Sequence, residues 1–200
     1  NLNTNMFTQM SASDKSPSKR GYLPSILYHD KFVVFGGMNN AESTVYYNDV
    51  WEKDLSILPC DIPTSGSATI TSDCILYSQI VVTGKLNVTG IPDAQGNLPK
   101  IIGSGSNRLF KVENGGELVV KSLNLTGGNI DTEGGAINVA AGTLMSTDSF
   151  FVNNRASLND VGLGGAIYGV NGAVLHFVNS TFTNNYAGHH GGAIYMSGGS

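Results

Sequence analysis

The sequence predicts an all-β protein, most of it a parallel β-helix, and two repeated motifs carry that prediction. The tetrapeptide Gly-Gly-Ala-Ile occurs at 134–137, 164–167 and 191–194, at intervals of 30 and 27 residues. The motif Phe-x-x-Asn lies between the copies, at 151–154 and 182–185. Landmarks that recur in one order at one period are the signature of a repeat architecture.

Apolar residues keep the same register as the motifs. Aligned on the landmarks, they form three columns, each stepping by 26 and then 31 residues: Leu118, Leu144 and Leu175; Val120, Ser146 and Phe177; Leu125, Phe151 and Phe182. A coil whose successive turns stack, with about three short strands each, presents like residues in this way. A Gly-rich segment of low complexity is the alternative, but it would not keep columns in register.

Turn residues separate the short strands. Paired glycines allow the backbone to bend sharply, and Asn pairs suit tight corners because their side chains bond to nearby backbone. A third landmark, a glycine eight positions after the start of each tetrapeptide, predicts a turn at Gly142, Gly172 and Gly199.

Composition limits the function. Only 13% of the 200 residues are charged, and the formal net charge is −4. The few Lys and Arg are scattered, so we expect no nucleic-acid partner. No run of 18 apolar residues occurs, so we expect no transmembrane segment. The chain begins at Asn1 without a signal peptide, which predicts a removed leader or an excerpt of a longer protein.

Secretory traits favour an extracellular location. Three sequons place acceptor asparagines at Asn87, Asn124 and Asn179. Asn87 and Asn124 alternate with apolar neighbours and are predicted to point outward, whereas Asn179 falls at a bend and could turn inward instead. Cys60 and Cys74 are an even pair, which predicts a disulfide; two buried thiols are the alternative.

The chain has two predicted parts, 1–57 and 58–200. In the first, an apolar strand ends in Gly36-Gly37, and Tyr47 and Trp51 follow a variable loop. With the loop entry at Arg20, this order resembles a kelch repeat, one blade of a β-propeller, although Tyr22-Leu23 stands where His-Ser is usual. One blade cannot close a propeller, so this part is either the last blade of a propeller or a lid on the β-helix. Residues 7–10 look like the closing strand of an earlier blade.

The second part, 58–200, is predicted to be the β-helix. Its early coils are degenerate, as terminal repeats often are. The segment from Ile91 to Lys100 contains two prolines and is predicted to be a loop that leaves the helix body.

Residues 134–200 resemble the β-helix repeats of the chlamydial polymorphic outer-membrane protein family, which carry Gly-Gly-Ala-Ile and Phe-x-x-Asn motifs. Similar repeats occur in large secreted proteins of protists. The resemblance implies a surface location and a role in adhesion or filament building, with no chemistry and no cofactor. The general rule for parallel crossovers and the family both predict a right-handed helix.

An enzyme is the alternative, because many parallel β-helices act on polysaccharides. Hydrolysis needs carboxylates gathered on one strand face. The acids of the coils are Asp131, Glu133, Asp148 and Asp160, and they share no column. Arg155 is the sole basic residue after Lys121, which leaves a lyase without a clustered base. We therefore predict that the protein is not an enzyme.

Histidines and tyrosines could form other sites. Adjacent His189 and His190 are expected to point to opposite sides, and His176 is not expected to reach them, so no metal site is predicted. The kelch-like part lacks the Tyr-Cys-His ligands of secreted copper oxidases. Tyr168 and Tyr195 follow the tetrapeptide at identical places, which predicts a stacked pair rather than a sugar platform.

The sequence thus predicts an extracellular structural or adhesive β-helix glycoprotein, a segment of a larger cell-surface or filament-forming protein. The alternative is a carbohydrate-binding or carbohydrate-active β-helix. Predicted partners are a second copy or further coils of the same polypeptide, extracellular polysaccharide or other surface proteins. The last coil is cut near Gly199, so we expect an open end rather than a free-standing monomer.

Overall fold

The computed structural model describes residues 8–9, 25–28, 31–39, 45–54, 57–156 and 162–200. The chain divides into two compact units, Asn1–Leu58 and Pro59–Ser200. The sequence placed this boundary one residue earlier, between residues 57 and 58.

The first unit contains an antiparallel sheet. Its strands are β1 (Thr8–Gln9), β2 (Ser25–Tyr28), β3 (Lys31–Asn39) and β4 (Val45–Asp54), in the order β1-β4-β3-β2. The register of β3 and β4 shifts between Phe35 and Gly37, at the diglycine. Arg20 and Tyr22 lie outside the described residues, and the kelch assignment stays a prediction.

One detail of the first unit differs from the prediction. Residues 7–10 were expected to close an earlier blade, but Thr8 and Gln9 pair with Glu52 and Trp51 of β4. The edge of β4 has unpaired backbone groups that this short strand satisfies within the same sheet.

The second unit is a parallel β-solenoid. Its strands in chain order are β5 (Leu58–Pro59), β6 (Gly66–Ile70), β7 (Cys74–Leu76), β8 (Ile80–Val82), β9 (Lys85–Gly90), β10 (Lys100–Gly103), β11 (Phe110–Glu113), β12 (Glu117–Lys121), β13 (Asn124–Thr126), β14 (Asn129–Ile130), β15 (Ile137–Ala140), β16 (Thr143–Thr147), β17 (Phe150–Val152), β18 (Arg155–Ala156), β19 (Ile167–Val170), β20 (Val174–Val178), β21 (Thr181–Thr183), β22 (Tyr186–Ala187) and β23 (Ile194–Ser197).

Successive coils contribute one strand each to the same sheets. Sheet I is β6-β9-β12-β16-β20, sheet II is β5-β7-β10-β13-β17-β21, sheet III is β8-β11-β15-β19-β23 and sheet IV is β14-β18-β22. Each coil runs from sheet I through II to III, and the three later described coils add a short strand of sheet IV. The predicted three strands per coil are confirmed, with this fourth strand as an addition. The handedness stays a prediction.

The three predicted apolar columns are confirmed by the strand register. Leu144 pairs with Leu118 below and Leu175 above, and Ser146 lies between Val120 and Phe177. Phe151 likewise pairs with Leu125 and Phe182. Leu118, Leu144, Leu125 and Phe151 are fully buried. Stacked side chains of one coil on the next therefore form the core.

The first two glycines of the tetrapeptide serve different needs. Gly134, Gly164 and Gly191 have φ of +65°, +63° and +64°, a left-handed conformation that favours glycine. The next glycine packs against the following coil: a Cβ on Gly135 would collide with the Gly165 carbonyl oxygen, and one on Gly165 with the Gly192 carbonyl oxygen. The tetrapeptide is therefore a stacking motif.

The third landmark needs a correction. Ala141, Asn171 and Gly198 take equivalent left-handed positions after sheet III. Gly172, with φ +80°, is an extra residue after Asn171, because Val170 pairs with Ala140 while Val174 pairs with Thr143. Gly142 and Gly199 are equivalent, but Gly172 is an insertion in a longer corner.

The asparagine of each Phe-x-x-Asn motif ties its coil to the one below. Asn154 is fully buried; its Oδ1 accepts the Gly128 N–H (3.0 Å) and its Nδ2 donates to the Leu125 carbonyl (3.0 Å). Asn185 repeats this one coil later, accepting the Asn154 N–H (3.0 Å) and donating to the Phe151 carbonyl (2.8 Å). The asparagines thus form a ladder that satisfies corner backbone groups.

Candidate functional site

A loop between β9 and β10, residues 91–99, stands out from the regular coils. Asp93 organises it: Oδ1 accepts the N–H groups of Gln95 (2.9 Å) and Asn97 (2.8 Å), and Oδ2 accepts the Asn97 Nδ2 (2.9 Å). The bond from the Asn97 side chain, and then those from the backbone, hold the pKa of Asp93 below its ordinary value. The loop predicted from the prolines is therefore present and internally bonded.

Four side chains beside this loop form a column on the outer face of sheet II. Lys100, Asn124 and Phe150 occupy matching places at the start of β10, β13 and β17. They point outward because the next residue in each strand, Ile101, Leu125 or Phe151, is fully buried. Asp73 extends the column, since its Oδ1 accepts the Lys100 N–H (2.9 Å) and its Oδ2 lies 3.3 Å from Lys100 Nζ.

The loop and the column enclose an open groove of about 720 Å³. It is lined by Thr71, Ser72, Asp73, Ile91, Asp93, Gly96, Asn97, Leu98, Pro99, Lys100, Asn124 and Phe150. This size lies within the usual range for small-ligand sites, roughly 300–1,000 Å³. Apolar surface, an amide and a few charges converge here, which makes the groove the candidate binding site.

One amide oxygen beside the groove has no partner. Asn124 Oδ1 is buried and accepts no hydrogen bond, while the backbone N–H of Asn124 donates to the Pro99 carbonyl (3.0 Å). Because this oxygen has almost no accessible surface, a ligand in the groove does not contact it. Phe150, the next residue up the column, is 40% exposed and offers a ligand a flat apolar face.

The predicted disulfide is present. Cys60 and Cys74 are bonded, with their Cα atoms 4.9 Å apart. The bond joins the segment after β5 to the first residue of β7, and the Cys60 N–H donates to the Ile75 carbonyl (2.8 Å). Closing a loop of this length stabilises the fold by about 3 kcal/mol, at the irregular first coil of the solenoid.

The three sequon asparagines have different surroundings. Asn87 is half-buried on the outer face of sheet I, between the register positions of Ser67 and Val119. Asn124 is half-buried in the groove. Asn179 is exposed at a left-handed corner (φ 48°), and its Nδ2 donates to Asp148 Oδ1 (3.1 Å). The inward turn considered for Asn179 is therefore wrong, and glycosylation of the three stays a prediction.

The described acids considered for catalysis are divided between two corners. Asp131 and Glu133 lie between β14 and β15, and Asp148 lies between β16 and β17. Asp160 is outside the described residues. The sequence did not single out Asp73 and Asp93, which do share the groove. The absence of enzymatic activity stays a prediction.

The histidine rings lie closer together than expected. The ring centroids of His189 and His190 are 3.7 Å apart, so the two side chains do not diverge. Within the described part of the chain, no three His, Cys, Asp or Glu form a group that could hold a metal ion. The rings of His190 and Tyr195 are nearly parallel, with their centroids 6.2 Å apart and their planes at 11°.

The predicted tyrosine pair is confirmed. Tyr168 and Tyr195 stack with centroids 5.8 Å apart and planes at 9°. Partial burial raises the pKa of Tyr168, and the nearby charges of Glu133 and Tyr195 add to the shift.

Sequence reasoning missed Arg108, whose buried side chain donates several hydrogen bonds. Only 7% exposed, it donates to Gln79 Oε1 (2.9 Å), Thr132 Oγ1 (3.2 Å) and the Gly134 carbonyl (2.9 Å). Burial lowers its pKa, and Glu133 opposes that effect. Arg108 therefore joins three coils and is a structural residue. Its partners are non-adjacent in the sequence, which left no signal to find it.

Comparisons with known proteins agree with the repeat pattern. Residues 179–197 match the Chlamydia polymorphic membrane protein (Chlamydia_PMP) repeat. This segment covers β21 to β23, with the second Phe-x-x-Asn and the third Gly-Gly-Ala-Ile. No curated protein and no solved structure matches the chain. In the described residues, no helix has the length and hydropathy of a membrane span. Pro59–Ser200 thus form a parallel β-solenoid, and residues 179–197 within it are similar to the Chlamydia polymorphic membrane protein repeat.

Proposed function

We propose that this protein is an extracellular, surface-associated β-helix with a structural or adhesive role. The observation that carries the proposal is that the repeated residues are occupied by coil stacking. The second glycines Gly135 and Gly165 leave no room for a side chain, and the side-chain amides of Asn154 and Asn185 donate to the backbone of the coil below. Repeats of this kind build an extended scaffold, which supports a structural or adhesive role.

Two further observations support a surface location. The matched repeat comes from a family described as membrane proteins. The Cys60–Cys74 disulfide fits an oxidising compartment. Occupied sequons at Asn87, Asn124 and Asn179 would agree with secretion through a glycosylating pathway. In this proposal the antiparallel sheet of the first unit is a kelch-like blade, and the solenoid is right-handed.

A second candidate function is carbohydrate binding, which the groove favours. The proposal does not include catalysis. Asp73 is paired with Lys100, and Asp93 is bonded within its loop, so neither is free to act as the acid of a hydrolase pair.

Labelling of intact cells tests the surface location. Antibody against residues 59–200 should stain unpermeabilised cells of the source organism, and externally added protease should remove the signal. An intracellular protein serves as the control for cell integrity. Staining that appears only after permeabilisation would contradict the proposal.

A further inference from the structure

We propose that the groove between loop 91–99 and sheet II is a saccharide-binding site, in which a pyranose ring lies against Phe150 and accepts a hydrogen bond from Lys100. This deepens the second candidate function, carbohydrate binding. It does not depend on the kelch-like blade.

The aromatic side chain is the first reason. Phe150 is 40% exposed at the start of β17, whereas Phe151, the next residue, is fully buried in the core. A planar ring open to solvent beside a concave surface offers a flat apolar face. The C–H face of a pyranose is also flat and apolar, so the two surfaces match.

The polar side chains beside Phe150 are the second reason. Lys100, Asn124 and Phe150 are register neighbours on the outer face of sheet II, and all three line the groove. A sugar ring that lies against Phe150 therefore presents its hydroxyl groups to polar side chains of the same column.

The charges favour a neutral saccharide. Among the groove residues Asp73 and Asp93 are acidic and Lys100 is basic, which gives a balance of −2 + 1 = −1. Lys100 is paired with Asp73, but its side chain is 48% exposed, and an ammonium group has three donors. It can therefore still donate to a sugar hydroxyl, while a polyanion would meet the two carboxylates.

The groove is also held in shape before any ligand arrives. Asp93 fixes the loop through three hydrogen bonds, and the floor belongs to a hydrogen-bonded parallel sheet. A preformed site loses little conformational entropy on binding.

The saccharide can come from two sources. Asn124 belongs to the sequon Asn124-Leu125-Thr126, so the chain's own N-linked glycan could enter the groove. A free extracellular saccharide could do the same. The core of an N-linked glycan begins with two N-acetylglucosamine units, so N,N′-diacetylchitobiose is a probe for both sources.

The first experiment uses the full chain produced in a bacterial host without N-glycosylation. Titration with N,N′-diacetylchitobiose, followed by calorimetry and NMR, should show binding. Phe150→Ala should weaken binding at least about tenfold, the order expected for loss of a stacking contact of about 1.5 kcal/mol. Tyr186→Ala is the matched control, because Tyr186 is 48% exposed and does not line the groove. It should bind like the wild type.

The second experiment uses the chain produced in a glycosylating host. If the Asn124 glycan fills the groove, an endoglycosidase should release it under native conditions at least about tenfold more slowly than the Asn87 glycan. Thr126→Ala, which keeps Asn124 but removes the sequon, should then regain binding of the probe. Continued binding by the glycosylated wild type would assign the groove to a free saccharide.

The proposal is overturned if the unglycosylated chain does not bind N,N′-diacetylchitobiose and Asn124 carries no protected glycan in the glycosylated chain. It is also overturned if Phe150→Ala and Tyr186→Ala, both shown to be folded by circular dichroism, bind equally well. Neither result would alter the cell-surface labelling, so failure of this site is distinguishable from failure of the proposed location.

Discussion

The coil β16–β19 and the coil β20–β23 carry the same motifs but differ in burial. Leu144, Phe151 and Asn154 of the first are fully or almost fully enclosed. Their counterparts one coil later, Leu175, Phe182 and Asn185, are only half-buried. We call β16–β19 the enclosed coil and β20–β23 the outer coil.

The difference shows that burial in this fold comes from the neighbouring coil rather than from the residue type. The outer coil covers the enclosed coil from above, and the coil β12–β15 covers the enclosed coil from below. The stability of such a solenoid is approximately a sum of the stabilities of the repeats and their interfaces. Identical substitutions in the two coils should therefore have different costs.

The largest difference is expected for the stacked phenylalanines. Phe151 and Phe182 stack at 4.8 Å and 7°, and Phe151 is fully buried. Phe151→Ala should destabilise the fold by about 3–5 kcal/mol because it leaves a cavity. Phe182→Ala should cost roughly half as much, because the ring is already partly in water. Urea unfolding measures the loss of unfolding free energy in the two variants. Equal losses would contradict the difference between the enclosed coil and the outer coil.

The asparagine ladder should give an intermediate difference. Asn154→Ala removes the hydrogen-bond partners of the Gly128 N–H and the Leu125 carbonyl. Each buried group left without a partner should lower the free energy of unfolding by about 1–3 kcal/mol. Asn185→Ala should cost about 1 kcal/mol, because water can reach the half-buried corner. Thermal unfolding of the two variants provides the measurement; a larger loss for Asn185→Ala would contradict the ladder.

The smallest effect concerns the tyrosine pair and pH. Because the pKa of Tyr168 is raised, the neutral phenol of Tyr168 contributes fully to the stability of the fold at pH values below the ordinary tyrosine pKa of about 10. That contribution is lost as pH rises through the raised pKa. A spectrophotometric titration should show a late phenolate component that Tyr168→Phe removes. If Tyr168→Phe instead removes a phenolate component with an ordinary tyrosine pKa, the result would argue against the stacking of Tyr168 on Tyr195.

The columns were predictable because the chain repeats them. The steps of 26 and 31 residues place Leu144 on Leu118 and under Leu175, whatever happens in the loops between. The disulfide was predictable because only two cysteines exist. The extra residue Gly172 was not, since a glycine inserted in a corner and a glycine that ends a strand look alike in the sequence.

The groove could not be predicted from the sequence. Asp73, Lys100, Asn124 and Phe150 share no motif, and they meet only because four strands begin at one edge of the unit. The alternation rule marks each as outward, but only the register of neighbouring coils places them together. The kelch-like blade, the handedness and the occupied sequons remain predictions.

The most direct test of the stacking account compares the second glycine of the tetrapeptide in the two coils. A Cβ on Gly165 would collide with the Gly192 carbonyl oxygen and lie 2.5 Å from the Tyr186 carbonyl carbon, whereas a Cβ on Gly192 has its nearest atom, the Asn185 carbonyl oxygen, at 3.5 Å. In urea unfolding, Gly165→Ala should lower the free energy of unfolding by about 1–3 kcal/mol or more. Gly192→Ala should leave the free energy of unfolding unchanged or raise it by up to about 1 kcal/mol. Equal losses in the two variants would contradict the claim that these repeated residues serve the contact between coils.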